Sequence, residues 1–186
     1  MAAPSGVTPR VAPGTPILSG RYPIAGGLEH DELGHPTGSP KLHMQMTAKR
    51  RKKLQALAAT LPTPKVYGPP EGNVLLVGWG STRGPIQEAV DRARAAGDSV
   101  SALHLKHLNP LPPGLENIFS GFNTIRVVEM NDEGIYNFGG QLAALLRARF
   151  CNPAIRGINK TDGLTWKVKD ILDRAKANLA AGMRKL

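Results

Sequence analysis

Val74-Leu-Leu-Val-Gly78 is an uninterrupted apolar run. A strand that is apolar at every position cannot leave one face in water, so it belongs in the middle of a sheet covered on both sides. Sheets of that kind are parallel, and parallel strands need helical crossovers. The residues downstream supply them. Pro85–Ala96 carries Ile86, Ala89, Val90 and Ala93 at helical spacing, and Gly97 ends the helix. Val100–Leu105 reads as a second strand and Thr124–Glu129 as a third. Phe138–Phe150 reads as a helix with Leu142, Leu145, Leu146 and Phe150 on one face. Ala154–Ile158 suits a last strand and Leu164–Leu179 a closing helix. Asn109-Pro-Leu-Pro-Pro113 suits neither a helix nor an inner strand. The expected fold class is α/β: a three-layer αβα sandwich around a mostly parallel sheet, occupying residues 73–186.

Upstream the pattern differs. Residues 1–40 are rich in Pro and Gly without sustained periodicity, and read as an extended arm that needs another surface to become ordered. Residues 41–60 read as a helix, with Leu42, Met46, Leu54 and Leu57 at near-helical spacing beside the cluster Lys49-Arg50-Arg51-Lys52-Lys53. Residues 61–72 form a linker with room for a short edge strand at Lys65–Tyr67.

The formal charge of +10 is divided evenly about residue 72, so the excess belongs to no single segment. Stacking aromatics and a recognisable nucleic-acid module are both missing, and the basic cluster reads as a solvated helix face, so no nucleic acid is expected. No apolar run approaches the roughly 18 residues that span a bilayer, and the first residues lack a secretory h-region. With Cys151 as the one cysteine, the expectation is a cytoplasmic protein with no membrane contact. One cysteine also excludes an iron–sulfur cluster or a Cys-rich zinc site held by this chain alone.

Three stretches carry chemistry-bearing residues. Gly78-Trp-Gly-Ser-Thr-Arg-Gly84 follows a strand and opens a helix, as a dinucleotide fingerprint does, but Arg83 occupies the third glycine position. The next strand ends in Leu105-Lys106-His107, without an acid to hold a ribose. A plain tight turn, or an anion held by Ser81, Thr82 and Arg83 at the helix start, fits better. The second stretch, Glu29-His30-Asp31-Glu32-Leu33-Gly34-His35-Pro36, departs from His-Glu-x-x-His, and its Gly and Pro oppose a helix that would align the histidines. Glu29, His30, Asp31, Glu32 and His35 can cap neighbouring structure, or border a site or interface completed by another chain. The third stretch places Asp132, Glu133 and Asn137 beyond a strand end, where open α/β sheets bind ligands. A Gly-rich turn before a core helix is the plainer reading.

"VLLVGWGSTRGPIQEAV", "LHLKHLNPLPP" and "IRVVEMNDEGIYNFGGQLAALL" together resemble the C-terminal domain of transketolase-like, thiamine-diphosphate-dependent enzymes. "GVTPRVAPGTPI", "GLEHDELGHPTGSP" and "MTAKRRKKL" are similar to the C-terminal third of the alpha subunit of 2-oxoacid:ferredoxin oxidoreductases, the 2-oxoglutarate type above all. The resemblance runs from about Ser5 to Leu179. It implies an accessory part of an assembly that oxidatively decarboxylates a 2-oxoacid to acyl-CoA and passes electrons to ferredoxin. The sequence lacks the Gly-Asp-Gly…Asn motif of the cofactor's diphosphate. It also lacks the pyrimidine-binding region; Tyr22-Pro23-Ile24-Ala25 only superficially resembles a substrate loop. The resemblance therefore implies no catalytic, cofactor-binding or metal-binding residue here. Thiamine diphosphate, magnesium and iron–sulfur clusters are expected on partner domains or chains: the remaining alpha/gamma region and the beta subunit. The competing reading is a stand-alone α/β module that binds an anionic ligand at the Ser81–Gly84 turn.

Overall fold

The computed structural model describes residues 4–8, 11, 12, 14–16, 29–137 and 139–182. Tyr22-Pro23-Ile24-Ala25, Gly26, Gly27 and Phe138 lie outside the described residues, as does part of the expected arm. The chain divides into two compact units, Met1–Leu61 with Asn109–Leu111, and Pro62–Leu108 with Pro112–Leu186.

The first unit is built on helix α1, Pro40–Thr60. Ser39 caps it, its hydroxyl accepting from the Leu42 N–H, and Pro40 takes the first helical position, where a missing N–H costs nothing. The expected apolar stripe is only partly used. Met46 is buried, whereas Leu54 and Leu57 remain 38% and 43% exposed. The five consecutive cations from Lys49 to Lys53 occupy the intervening turn and keep most of the helix in water. One piece of the arm lies directly on the helix. A Cβ on Gly6 would stand 2.9 Å from the Lys49 carbonyl oxygen, so only glycine allows that approach.

The second unit holds a five-stranded sheet. In chain order its elements are β1 Val66–Tyr67, β2 Gly72–Trp79, α2 Arg83–Ala95, β3 Val100–Leu105, α3 Leu115–Ser120, β4 Phe122–Glu129, α4 Gln141–Phe150, β5 Ile155–Asn159 and α5 Val168–Gly182. The strand order is β1-β3-β2-β4-β5. All pairings are parallel except that of β1, which runs antiparallel to β3 at the edge. The α/β sandwich with a mostly parallel sheet is thus as expected, and the apolar run lies in the central strand.

Register decides which side chains share a face. Val74 and Leu76 of β2 align with Val100 and Ala102 of β3, and Val128 of β4 with Ile158 of β5. These residues pack with Ile86, Ala89 and Val90 of α2 and with Trp166, Ile171 and Ala175. The alternate residues Leu75, Val77, Leu103, Ile125, Val127 and Ile155 are equally buried on the other face. There α3 and α4 supply Leu115, Phe119, Leu142 and Leu146, with Phe119 and Phe150 edge to face at 5.2 Å. Each fully buried aliphatic side chain contributes about 1.5–3 kcal/mol, so both faces matter. The arrangement follows from right-handed crossovers. The chain leaves β2 toward β3 through α2, then reverses across the sheet to β4, which puts α3 and α4 on the opposite side from α2.

Boundaries shift where local chemistry overrides periodicity. Helix α2 begins at Arg83, two residues before the expected Pro85, because a proline is tolerated in a first turn. Helix α4 begins at Gln141 because Gly139 and Gly140 have φ of +77° and +90°, which no helix accommodates. Helix α5 starts at Val168, since the Leu164 N–H is taken by Asp162 in a turn. The six-residue α3 was not expected: two apolar positions four apart are too short a signal.

Gly78 marks the closest approach of β2 to α2. A Cβ there would stand 2.3 Å from Ile86 Cδ1 and 2.5 Å from Thr82 Oγ1. Gly78→Ala should therefore destabilise the fold by about 1–3 kcal/mol through overpacking. The urea midpoint should fall with unchanged slope, and adding Ile86→Val should recover part of the loss.

Candidate functional site

The Glu29–His35 stretch is a small closed loop organised by its own acids. His30 and Pro36 form an antiparallel bridge, and the Thr37 N–H donates to the Glu29 carbonyl at 3.1 Å. Inside it, Asp31 Oδ1 accepts from the Leu33 N–H at 2.8 Å and the His35 N–H at 3.0 Å. Asp31 Oδ2 lies 3.1 Å from His35 Nδ1. These bonds, the one from His35 N–H foremost, hold the Asp31 carboxyl below its ordinary range. Glu29 faces the other way and ties the loop to α1. Arg50 grips both its oxygens at 3.1 and 3.0 Å, and His43 Nδ1 sits 2.8 Å from Oε2.

Glu29 and Asp31 thus set the loop's shape, and the rings of His35 and His30 lie against Asp31, their Nδ1 atoms 3.1 Å from its Oδ2 and 2.7 Å from its carbonyl oxygen. Glu32 and His35 face solvent beside Leu33, which is 78% exposed, and His30 is half-buried. Among the described residues no three His, Cys, Asp or Glu side chains converge where a metal ion could sit. The partners of Glu29 were not legible in the sequence, because Arg50 lies 21 residues away with no local spacing to announce it.

At the Gly78–Gly84 turn, Gly80 takes φ of +59° and Thr82 folds inward. The Thr82 hydroxyl donates to the Trp79 carbonyl at 2.9 Å and accepts from the Trp79 N–H at 3.0 Å. Ser81 and Arg83 are exposed. The turn therefore brings one cation to the head of α2 while its threonine is occupied in the backbone.

The third stretch is a clamp. Glu129 is fully buried at the end of β4 and receives the first N–H groups of α4, from Leu142 at 3.0 Å and Ala143 at 2.9 Å. Asn131 Nδ2 donates to the same carboxylate at 2.9 Å, and Asn159 Nδ2 donates to Asn131. A negative charge at a helix N-terminus satisfies its orphan donors and opposes its dipole. Glycine is required around it, since a Cβ on Gly140 would meet Asn159 Nδ2 at 2.3 Å and Glu129 Oε1 at 2.6 Å. Asp132, Glu133 and Asn137 stay exposed. Of these, Glu133 and Asn137 border a cavity of about 580 Å³ with Arg147, Arg156 and Arg174.

Sheet order, the topological reversal at β2 and the carboxylate clamp at the strand ends define an open α/β domain. Residues 72–171 match the sequence model of a family described as pyruvate:ferredoxin oxidoreductase core domain II, and the chain belongs to that family. It is 32% identical over 94% of its length to 2-oxoglutarate oxidoreductase subunit KorA of Mycobacterium tuberculosis, covering 25% of that protein. It is 35% identical over 70% of its length to 2-oxoacid:ferredoxin oxidoreductase 1, subunit alpha, of Aeropyrum pernix, covering 21% of it. The 2-oxoglutarate:ferredoxin oxidoreductase of Magnetococcus marinus, solved with 2-oxoglutarate, coenzyme A and succinyl-CoA bound, matches with a TM-score of 0.73 at 31% identity. That match covers 95% of this chain and 30% of the other. The chain thus spans a fifth to a quarter of the length of these curated relatives.

Two outcomes test the geometry. Glu129→Gln replaces an acceptor with a donor that faces backbone N–H groups, and should lower stability by about 1.5–3 kcal/mol in chemical denaturation. The second concerns Glu29, whose carboxyl is lowered from 4.5 to about 2, chiefly by Arg50 and then by the His30 N–H and His43. A folded-state value below the unfolded one stabilises fully above the unfolded value, about 4.5, and fades as pH falls toward about 2. Carbon-detected NMR titration should find that low midpoint, and Arg50→Gln should raise it.

Proposed function

We propose that this chain acts as the C-terminal portion of the alpha subunit of a 2-oxoacid:ferredoxin oxidoreductase, of the 2-oxoglutarate type, and that its role is assembly rather than catalysis. The reaction of the whole would be oxidative decarboxylation of the 2-oxoacid to its acyl-CoA, with ferredoxin as electron acceptor. The observation that carries this reading is the near-complete alignment of the chain with one segment of much longer subunits.

The donor chemistry agrees. An iron–sulfur cluster generally needs four thiolates, and the sequence has the exposed Cys151 alone. The described residues offer no three-ligand group for magnesium either. In this reading thiamine diphosphate, magnesium and the clusters are held by partner domains or chains. No reaction step is assigned to residues of this chain.

The first unit carries the features of a docking element. Its loop is preshaped by Asp31 and fastened to α1 by Glu29, so presenting Leu33, Glu32, His30 and His35 costs little ordering entropy on binding. Helix α1 adds the exposed Leu54 and Leu57 beside its cationic turn. Apolar anchors rimmed by charge are the usual composition of a protein interface. The partners in this reading are the rest of the alpha/gamma region and the beta subunit.

The His30→Ala/His35→Ala double variant should melt like the parent chain while losing affinity for separately prepared partner subunits. With each lost charge-assisted bond at about 1.5–3 kcal/mol, binding should weaken at least tenfold. Unchanged affinity, or turnover by the isolated parent chain that the variant lacks, would sink the assembly role. Titration calorimetry of the isolated chain with thiamine diphosphate and magnesium should show no more heat than a control protein.

A further inference from the structure

The second unit contains a cavity that neither the assembly role nor the clamp accounts for. It measures about 440 Å³ and lies between the first turn of α2 and the antiparallel edge strand β1. That is within the size range of small-ligand pockets. Three cations line it from three separate elements: Lys65 beside β1, Arg83 at the head of α2 and Lys106 after β3. No acidic residue lines it, and none of the three cations has a carboxylate partner among the described residues.

His104 of β3 also lines the cavity, and its Nδ1 is buried without a hydrogen-bond partner. Burial, then Arg83, then Lys106 push the His104 pKa down. Arg83 and Lys106 thus add to burial in disfavouring the charged imidazole. The remaining walls mix the polar Thr63, Gln87 and His107 with a larger apolar part. Val66, Ile86 and Pro112 contribute, as does Tyr67, whose hydroxyl is already tied to Asp91 at 2.9 Å.

We infer that this cavity is a binding site for an organic phosphate of mononucleotide size. Its anionic head would sit among Arg83, Lys106 and Lys65, and its flat apolar body would lie against Tyr67 and Ile86. Unpaired cations from three elements suit a phosphate better than a single carboxylate, because several charges and donors must be matched together. The apolar wall argues for an organic body, since a bare ion would leave it in water. Of the turn residues read from the sequence as anion-binding, Arg83 alone lines this cavity; Ser81 and Thr82 do not. The inference stands whether or not the chain acts in an oxidoreductase.

Isothermal titration of the full chain at low salt, with adenosine 5′-diphosphate, pyrophosphate and adenosine as probes, tests it. The diphosphate nucleoside should bind, pyrophosphate should bind several-fold more weakly, and adenosine should not bind detectably. Arg83→Gln and Lys106→Gln, both at exposed positions, should each weaken the nucleotide about tenfold. Arg51→Gln, on the cationic turn of α1, serves as the control and should change nothing. A loss in Arg51→Gln equal to that in Arg83→Gln would reduce the effect to general attraction of polyanions by a basic protein. Pyrophosphate binding as tightly as the nucleotide would remove the organic part of the inference. No heat at millimolar nucleotide would overturn the site altogether.

Discussion

The architecture depends on one requirement: β2 must be dry on both faces. Val74, Leu75, Leu76 and Val77 are at most 2% exposed, so helices have to cover the sheet above and below. A chain that runs strand, helix, strand with right-handed crossovers can reach both sides only by reversing direction once across the first strand. The order β3-β2-β4 is that reversal. The cores on the two faces, the placement of α2 and α5 opposite α3 and α4, and the position of the strand ends all follow from it. The short antiparallel β1 completes the design by closing the edge beside β3, which would otherwise present unpaired backbone groups.

Most of this second unit was legible because buried parallel strands and amphipathic helices write strong periodic signals. Val100–Leu105 matches the expected strand at both ends, and the other strands differ by one or two residues at an end. The failures are local. Helix starts at Arg83, Gln141 and Val168 were set by a tolerated proline, by two left-handed glycines and by an Asp-capped turn, none of which registers as periodicity. Helix α3 was missed because one turn and a half cannot establish a period. In the first unit the near-helical apolar spacing overstated burial, since the cationic turn outweighs two leucines.

The candidate sites were less legible, for a different reason. Sequence shows which residue types are close along the chain, whereas a site is made by residues distant along it. Glu29 stood out for its neighbours, yet its geometry comes from Arg50 and His43 on a helix. Glu129 stood at the end of a strand, and its role emerges only when the α4 N–H groups arrive beneath it. The cationic cavity draws Lys65, Arg83 and Lys106 from three elements, and no spacing rule connects them. What the residue types did reveal was a shortage: one cysteine cannot furnish a cluster, whatever the fold.

The glycines around the Glu129 clamp have a consequence for how this region can change. A Cβ on Gly157 would fall 1.7 Å from the Gly139 carbonyl oxygen, and one on Gly139 would fall 2.8 Å from the Gly157 nitrogen. Backbone meets backbone there, so no trimming of a nearby side chain can make room. This contrasts with Gly78, whose obstacles are the side-chain ends of Ile86 and Thr82. Divergence can therefore proceed by paired substitution in the core over α2. The crossing of the loop over β5 has no such compensating route, and it will accept a side chain only if the whole loop takes another path.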